Sequence, residues 1–177
     1  ARKTPALANC RGAPPVSPPR ESAGAWTSRS QFRGKAVMLT FVYDHGPDSC
    51  PLIVGNLRNA LERIGAEVRR VQIIAVSVDP TRDTPKTVKA FLAAHDMTGR
   101  MRYLIGSFRQ LAPVWKEWGI DVQASPDRRG QTVGHSACVY GITVHGQPLV
   151  LSPPTFDPAC VVPDLPTLTS PSPPVRL

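Results

Sequence analysis

Residues 34–51 read GKAVMLTFVYDHGPDSCP, and their reading decides the fold. After Gly34 and Lys35 comes the unbroken apolar run 36-AVMLTFVY-43. Its β-branched and aromatic members predict a strand buried on both faces. A helix is expected next, because Leu57, Leu61 and Ile64 recur at i, i+4, i+7 spacing. Cys50 falls where strand gives way to helix, as the cap residue before Pro51 at the first helical position. Unpaired N–H groups and the macrodipole at such a terminus favour the thiolate, the form that binds soft metals or attacks sulfur. The alternative is that Cys50 is a small buried hydrophobe.

Alternation of strand and helix continues along the chain. The run 71-VQIIAVSV-78 reads as a second buried strand. Thr84-Pro85 opens a helix with Val88, Phe91 and Leu92 inward. A short strand near 102–105 leads to a capping-box pattern, Ser107 and Gln110, and a helix with Phe108, Leu111, Trp115 and Trp118 inward. Strands are predicted near 120–123 and 137–144, and 145-HGQ-147 reads as a hairpin turn into 149–151. The order β-α-β-α-β-α-β-β gives an α/β fold: a mostly parallel central sheet flanked by helices, with a C-terminal antiparallel hairpin.

Composition bounds the folded unit. Of the 20 prolines in 177 residues, five lie in 1–33 and nine in 148–177. Residues 1–33 are therefore read as a flexible, basic, Pro-rich tail, 34–151 as the domain, and 152–177 as an irregular Pro-rich segment. The net charge of +8 resides largely in that tail, and only 6% of residues are aromatic. A clustered basic face with stacking aromatics is missing, which argues against nucleic-acid binding. The chain begins with Ala, so removal of an upstream signal or anchor is an open expectation. Cysteines at 10, 50, 138 and 160 show no zinc-type spacing.

In an open α/β sheet, sites form beyond the carboxyl ends of the strands. The segments 44-DHGPDSCP-51, 79-DPTRDTP-85 and 130-GQTVGHSA-137 are expected there. Asp79 reads either as a site carboxylate or as a turn cap. His135, taken alone, reads as a structural histidine. Cys138 is three residues past His135, an odd offset that points it to the other face of a strand and into the core. Cys10 and Cys160 have no assigned role.

Together, GKAVMLTFVYDHGPDSCP, VSVDPTRDTP and GHSACVYGI resemble the Sco/SenC family, thioredoxin-like proteins associated with copper delivery to cytochrome c oxidase and with thiol–disulfide chemistry. The resemblance covers about Gly34 to Leu151. The family motif T-H-C-P-x-x-C-P appears here as D-H-G-P-D-S-C-P. Cys50 matches the second thiol and Gly46 stands where the first would be. The family's D-H-S appears as Gly134-His135-Ser136, and the C-terminal helix is interrupted by Pro158, Pro163 and Pro166. The resemblance implies copper as ligand, with Cu(I) favoured over Cu(II), held by Cys50 and His135 at a weakened site. His45 is a candidate replacement nitrogen.

It also implies a partner: the copper-bearing subunit of cytochrome c oxidase or another copper chaperone. The implied location is extracytoplasmic, periplasmic or membrane-anchored, with a tether upstream. With one cysteine in the motif an internal disulfide switch is impossible, so a metallochaperone role is expected rather than an enzyme. The competing reading is a non-catalytic thioredoxin-like interaction module that has lost metal binding. A one-cysteine peroxidase is disfavoured, because Tyr43 and Pro47 occupy the positions its motif gives to proline and a hydroxyl residue.

Overall fold

The computed structural model describes residues 20–21, 32, 34–45, 49–123, 134–135, 138–153 and 155–170, with backbone alone at 20–21, 49, 123, 134–135, 149–152 and 160–162. A two-residue strand, β1 (Arg20–Glu21), pairs antiparallel with Leu104 and Ile105. The sheet thus takes its edge from a stretch expected to be tail. The apolar run forms β2 (Ala36–Val42), buried at every position, as its lack of alternation requires.

Helix α1 (Ser49–Ile64) buries Ile53, Val54, Leu57, Ala60 and Leu61. A 3-10 turn (Gly65–Arg70) leads into β3 (Val71–Ser77). Helix α2 (Pro85–Ala94) starts as expected: the Thr87 amide donates to Thr84 Oγ1 at 3.2 Å, and the Thr84 amide donates to Thr87 Oγ1 at 2.9 Å. Strand β4 (Met101–Ile105) and helix α3 (Phe108–Glu117) come next. The Ser107 amide donates to Gln110 Oε1 at 2.9 Å, half of the predicted capping box. The short strands β5 (Val122–Gln123) and β6 (Gly134–His135) precede β7 (Val139–Ile142) and β8 (Pro148–Ser152).

The six-stranded sheet has the order β1-β4-β3-β2-β7-β8. Strands β2, β3 and β4 are parallel, and the β7–β8 hairpin lies antiparallel along the other side of β2. The mostly parallel centre with an antiparallel C-terminal hairpin is the fold the sequence predicts. At the hairpin turn Gly146 has φ +80°, the left-handed backbone that glycine adopts without strain. Two details depart from the prediction. Among the described residues strands β5 and β6 pair only with each other, so the strands expected near 120–123 and 137–144 do not both enter the main sheet. Phe108 is 57% exposed and meets Trp115 edge-on at 5.4 Å; in the first turn of α3 it overhangs the core rather than entering it.

The segment beyond β8 holds short helical turns where irregular chain was expected: α4 (Pro158–Val161), a 3-10 turn (Val162–Asp164) and α5 (Leu165–Leu168). They bury Leu165 and Leu168, beside Phe156. Asn56 Nδ2 donates to the Phe156 carbonyl at 3.0 Å, the Val144 amide to Leu168 O at 3.0 Å, and Arg70 Nη2 to Thr169 O at 2.6 Å. These bonds tie the segment to α1 and to the hairpin. No helix among the described residues is long and apolar enough to cross a membrane.

Candidate metal centre

Strands β2 and β3 end side by side, and the Val78 amide donates to the Val42 carbonyl at 3.0 Å. The loops that leave the two strands therefore meet at the carboxyl edge of the sheet, where parallel α/β folds place their sites. After β2 come Tyr43, Asp44 and His45, and then α1 with Cys50 in its first turn. After β3 comes 79-DPTRD-83.

Cys50 is fully buried and lies in the core cluster. The helix starts at Ser49, one residue before the predicted cap, so Cys50 is its second residue and Pro51 its third. Proline is tolerated there because the first four amides of a helix have no intrahelical acceptor. The helix-terminal placement expected from sequence is present, and the thiol is also buried, as the alternative reading of a small core hydrophobe requires. Cys138 also packs against the core and is half-buried, and Thr40 Oγ1 donates to its carbonyl at 3.1 Å. Its core placement agrees with the prediction, although His135 belongs to β6 and not to the same strand.

Asp79 is a turn cap. It accepts from the Thr81 hydroxyl at 2.6 Å, from Arg82 Nε at 2.5 Å and from the amides of Thr81 and Arg82. Burial pushes its carboxyl up, but the Thr81 and Arg82 hydrogen bonds and the Arg82 charge outweigh that and hold it below the usual range.

Asp83, which sequence reasoning missed, is the carboxylate at the centre. It is 5% exposed. It accepts from the Asp44 amide at 3.1 Å and from the Tyr103 hydroxyl at 2.9 Å, so it fastens the loop after β2 to the loop after β3. Tyr103 comes from β4 and is itself buried. Burial is the main reason the Asp83 carboxyl rises to about 7; hydrogen bonds from Ser77 and the Asp44 amide oppose it, and the Asp44 charge adds to it. Burial also drives Tyr103 well above its usual range, with the charges of Asp83, Asp44 and Cys50 adding to the rise. Cys50 thus lies within electrostatic reach of the same buried group. The signal available in sequence was the second aspartate of 79-DPTRD-83, four residues past the first.

A carboxyl whose pKa is raised by folding holds its proton more tightly in the folded state. Its contribution to stability is full below about pH 4, its unfolded value, and is lost as pH rises toward the folded value. Asp79 acts in the opposite sense: its contribution is present above about pH 4 and lost as pH falls through its lowered pKa. Urea unfolding at a series of pH values should show the wild type losing stability on the order of a few kcal/mol between about pH 4 and 7 through Asp83. Asp83→Asn should flatten that window, and identical slopes for the two proteins would contradict the assignment.

His135 is the other predicted ligand. Its backbone pairs with Val122 in the β5–β6 ribbon; its imidazole lies outside the described residues, as do Gly46 and Cys10 and the side chain of Cys160.

A three-stranded parallel core, an antiparallel hairpin on its β2 side and a thiol in the first turn of the helix after β2 define a thioredoxin-like protein. Residues 20–170 match SCO1/SenC, and the chain belongs to that family. It is 31% identical over 122 residues to the mitochondrial SCO2 homolog of Bos taurus, a stretch that is 67% of this chain and 45% of that protein. The chain therefore spans about half the length of the curated relatives it matches. Among solved structures it is similar to Bradyrhizobium japonicum ScoI with copper bound, with a TM-score of 0.78 and 25% identity over 88% of this chain and 99% of that one. BsSco, a member of the Sco family of cytochrome c oxidase assembly proteins in which a disulfide switch has been identified, shares the fold: TM-score 0.71, 20% identity, 93% of this chain and 96% of that one.

Proposed function

We propose that this chain is a Sco-type copper-binding protein that serves copper delivery or thiol redox maintenance in cytochrome c oxidase assembly. The observation that carries the reading is the Cys50 thiol in the first turn of α1, at the carboxyl edge of the parallel strands. The likeness to ScoI with copper bound supports copper as the cargo. Cys50 and His135 are its ligands, and Gly46 in place of the first thiol weakens the site. One thiolate and one imidazole suit Cu(I). The chain's own contribution is a buried sulfur, within electrostatic reach of Tyr103 as Asp44 and Asp83 are, that holds copper for transfer to a partner rather than for turnover. That partner is the copper-bearing subunit of cytochrome c oxidase or another copper chaperone, met outside the cytoplasm by a membrane-tethered form of the protein.

Titration of the reduced protein with Cu(I) against a competing chelator tests this. One ion should bind per chain, and Cys50→Ala and His135→Ala should each weaken binding on the order of 10–100-fold or more. Equal binding by wild type and both variants would remove these residues from the site and leave the scaffold without a copper function at this edge.

A further inference from the structure

Asp44, His45 and Asp83 bring one imidazole and two carboxylates together, with one ligand atom from each lying within 4.8 Å of the others. Asp44 is the telling member. Its side chain is only 2% exposed, its Oδ1 faces His45 Nδ1, and neither of its oxygens accepts a hydrogen bond among the described residues. Burying a carboxylate without hydrogen-bond donors is costly unless a positive charge offsets it. A second carboxylate, Asp83, stands beside it with its own donors already engaged. His45 is half-exposed at 51% and forms the solvent side of the cluster, which gives an ion a way in and leaves room for water ligands.

We propose that Asp44, His45 and Asp83 form a binding site for a divalent first-row transition cation, separate from the Cys50–His135 copper pair. The donor set of one nitrogen and two oxygens is borderline to hard, unsuited to Cu(I) and suited to ions such as Zn(II) or Cu(II). Metal–ligand bonds of about 2.0–2.2 Å place the donors of a tetrahedral ion about 3.4 Å apart. His45 Nδ1 touches Asp44 Oδ1, and rotation of the exposed ring away from that oxygen would open the spacing an ion needs. The Asp83 oxygens accept from the Asp44 amide, the Tyr103 hydroxyl and Ser77, and a carboxylate offers about four lone-pair sites, so one remains for a metal. The cation relieves the charge that Asp44 carries into the interior, and the Asp83 bonds to the Asp44 amide and to Tyr103 hold the carboxylates in place.

Calorimetric titration of the reduced full chain with Zn(II) is the test, because zinc leaves the thiols unoxidised. One equivalent should bind. His45→Ala, at an exposed position that leaves the core intact, and Asp44→Asn should each weaken binding at least about tenfold, while Cys50→Ala should bind like wild type. Replacing zinc with Co(II) should give a visible spectrum without thiolate-to-metal charge transfer. Absence of zinc binding would overturn the proposal. Unchanged binding by His45→Ala, or lost binding by Cys50→Ala, would overturn it equally. The Cu(I) titration of Cys50→Ala and His135→Ala reads the copper pair separately, so either site can fail without the other.

Discussion

Gly46→Cys should tighten Cu(I) binding by at least about 100-fold, more than the loss of an outer-shell partner usually costs a metal site. The substitution returns a second thiolate to the D-H-G-P-D-S-C-P segment, and soft thiolates are the donors that Cu(I) prefers. It should also create a property the wild type lacks. With sulfur at 46 and 50 the segment can close an internal disulfide, which the single sulfur of the wild-type segment cannot; Cys50 there is open to mixed disulfides or oxidation to sulfenic acid. Chelator competition reads the first effect, and counting reactive thiols before and after mild oxidation reads the second. Unchanged affinity would mean that a sulfur at residue 46 does not join Cys50 at the copper ion, contradicting the shared site.

The second large effect is on stability. Trp118 is 1% exposed and fills the space between Phe41, at 6.3 Å between ring centres, and Tyr140, at 4.8 Å. Its carbonyl accepts the Tyr140 hydroxyl at 2.9 Å. Trp118→Ala removes the ring that packs on Phe41 of β2 and Tyr140 of the neighbouring β7, and should cost about 3–5 kcal/mol. The indole N–H has no acceptor among the described residues, and a buried donor without a partner costs about 1–3 kcal/mol. Trp118→Phe should therefore destabilise far less than alanine, because the lost ring volume is partly offset by removal of that donor. Denaturant unfolding separates the two; equal losses for Phe and Ala would contradict this account of the aromatic cluster.

The parts of the fold legible in sequence are those with a single strong local cause. Runs 36–43 and 71–78 are apolar without alternation because β2 and β3 are covered on both faces. Thr84 and Ser107 announce helix starts through short-range bonds to Thr87 and Gln110. Features set by tertiary context were not legible. A two-residue edge strand such as Arg20–Glu21 has no period to read. Prolines 158 and 166 were read as helix breakers, yet they sit in the first turns of α4 and α5, where a missing amide costs nothing. Phe108 fits a helical stripe, but the stripe overruns the core at the helix start.

The site divides the same way. Cys50 was legible from strand, cysteine and proline in sequence. His135 entered through resemblance to the family. Asp79 and Asp83 look alike in 79-DPTRD-83, and only the folded turn shows that Asp79 spends its oxygens on Thr81 and Arg82 while Asp83 reaches across to Asp44 and Tyr103. Asp44 lies beyond the end of β2, where nothing local tells whether the chain will bury it.

X-ray absorption spectroscopy at the copper edge, on reduced protein carrying one equivalent of Cu(I), tests the central claim most directly. The account predicts one sulfur and one imidazole in the first coordination shell, with the sulfur signal absent in Cys50→Ala. A shell without sulfur, or one unchanged by that substitution, would contradict it.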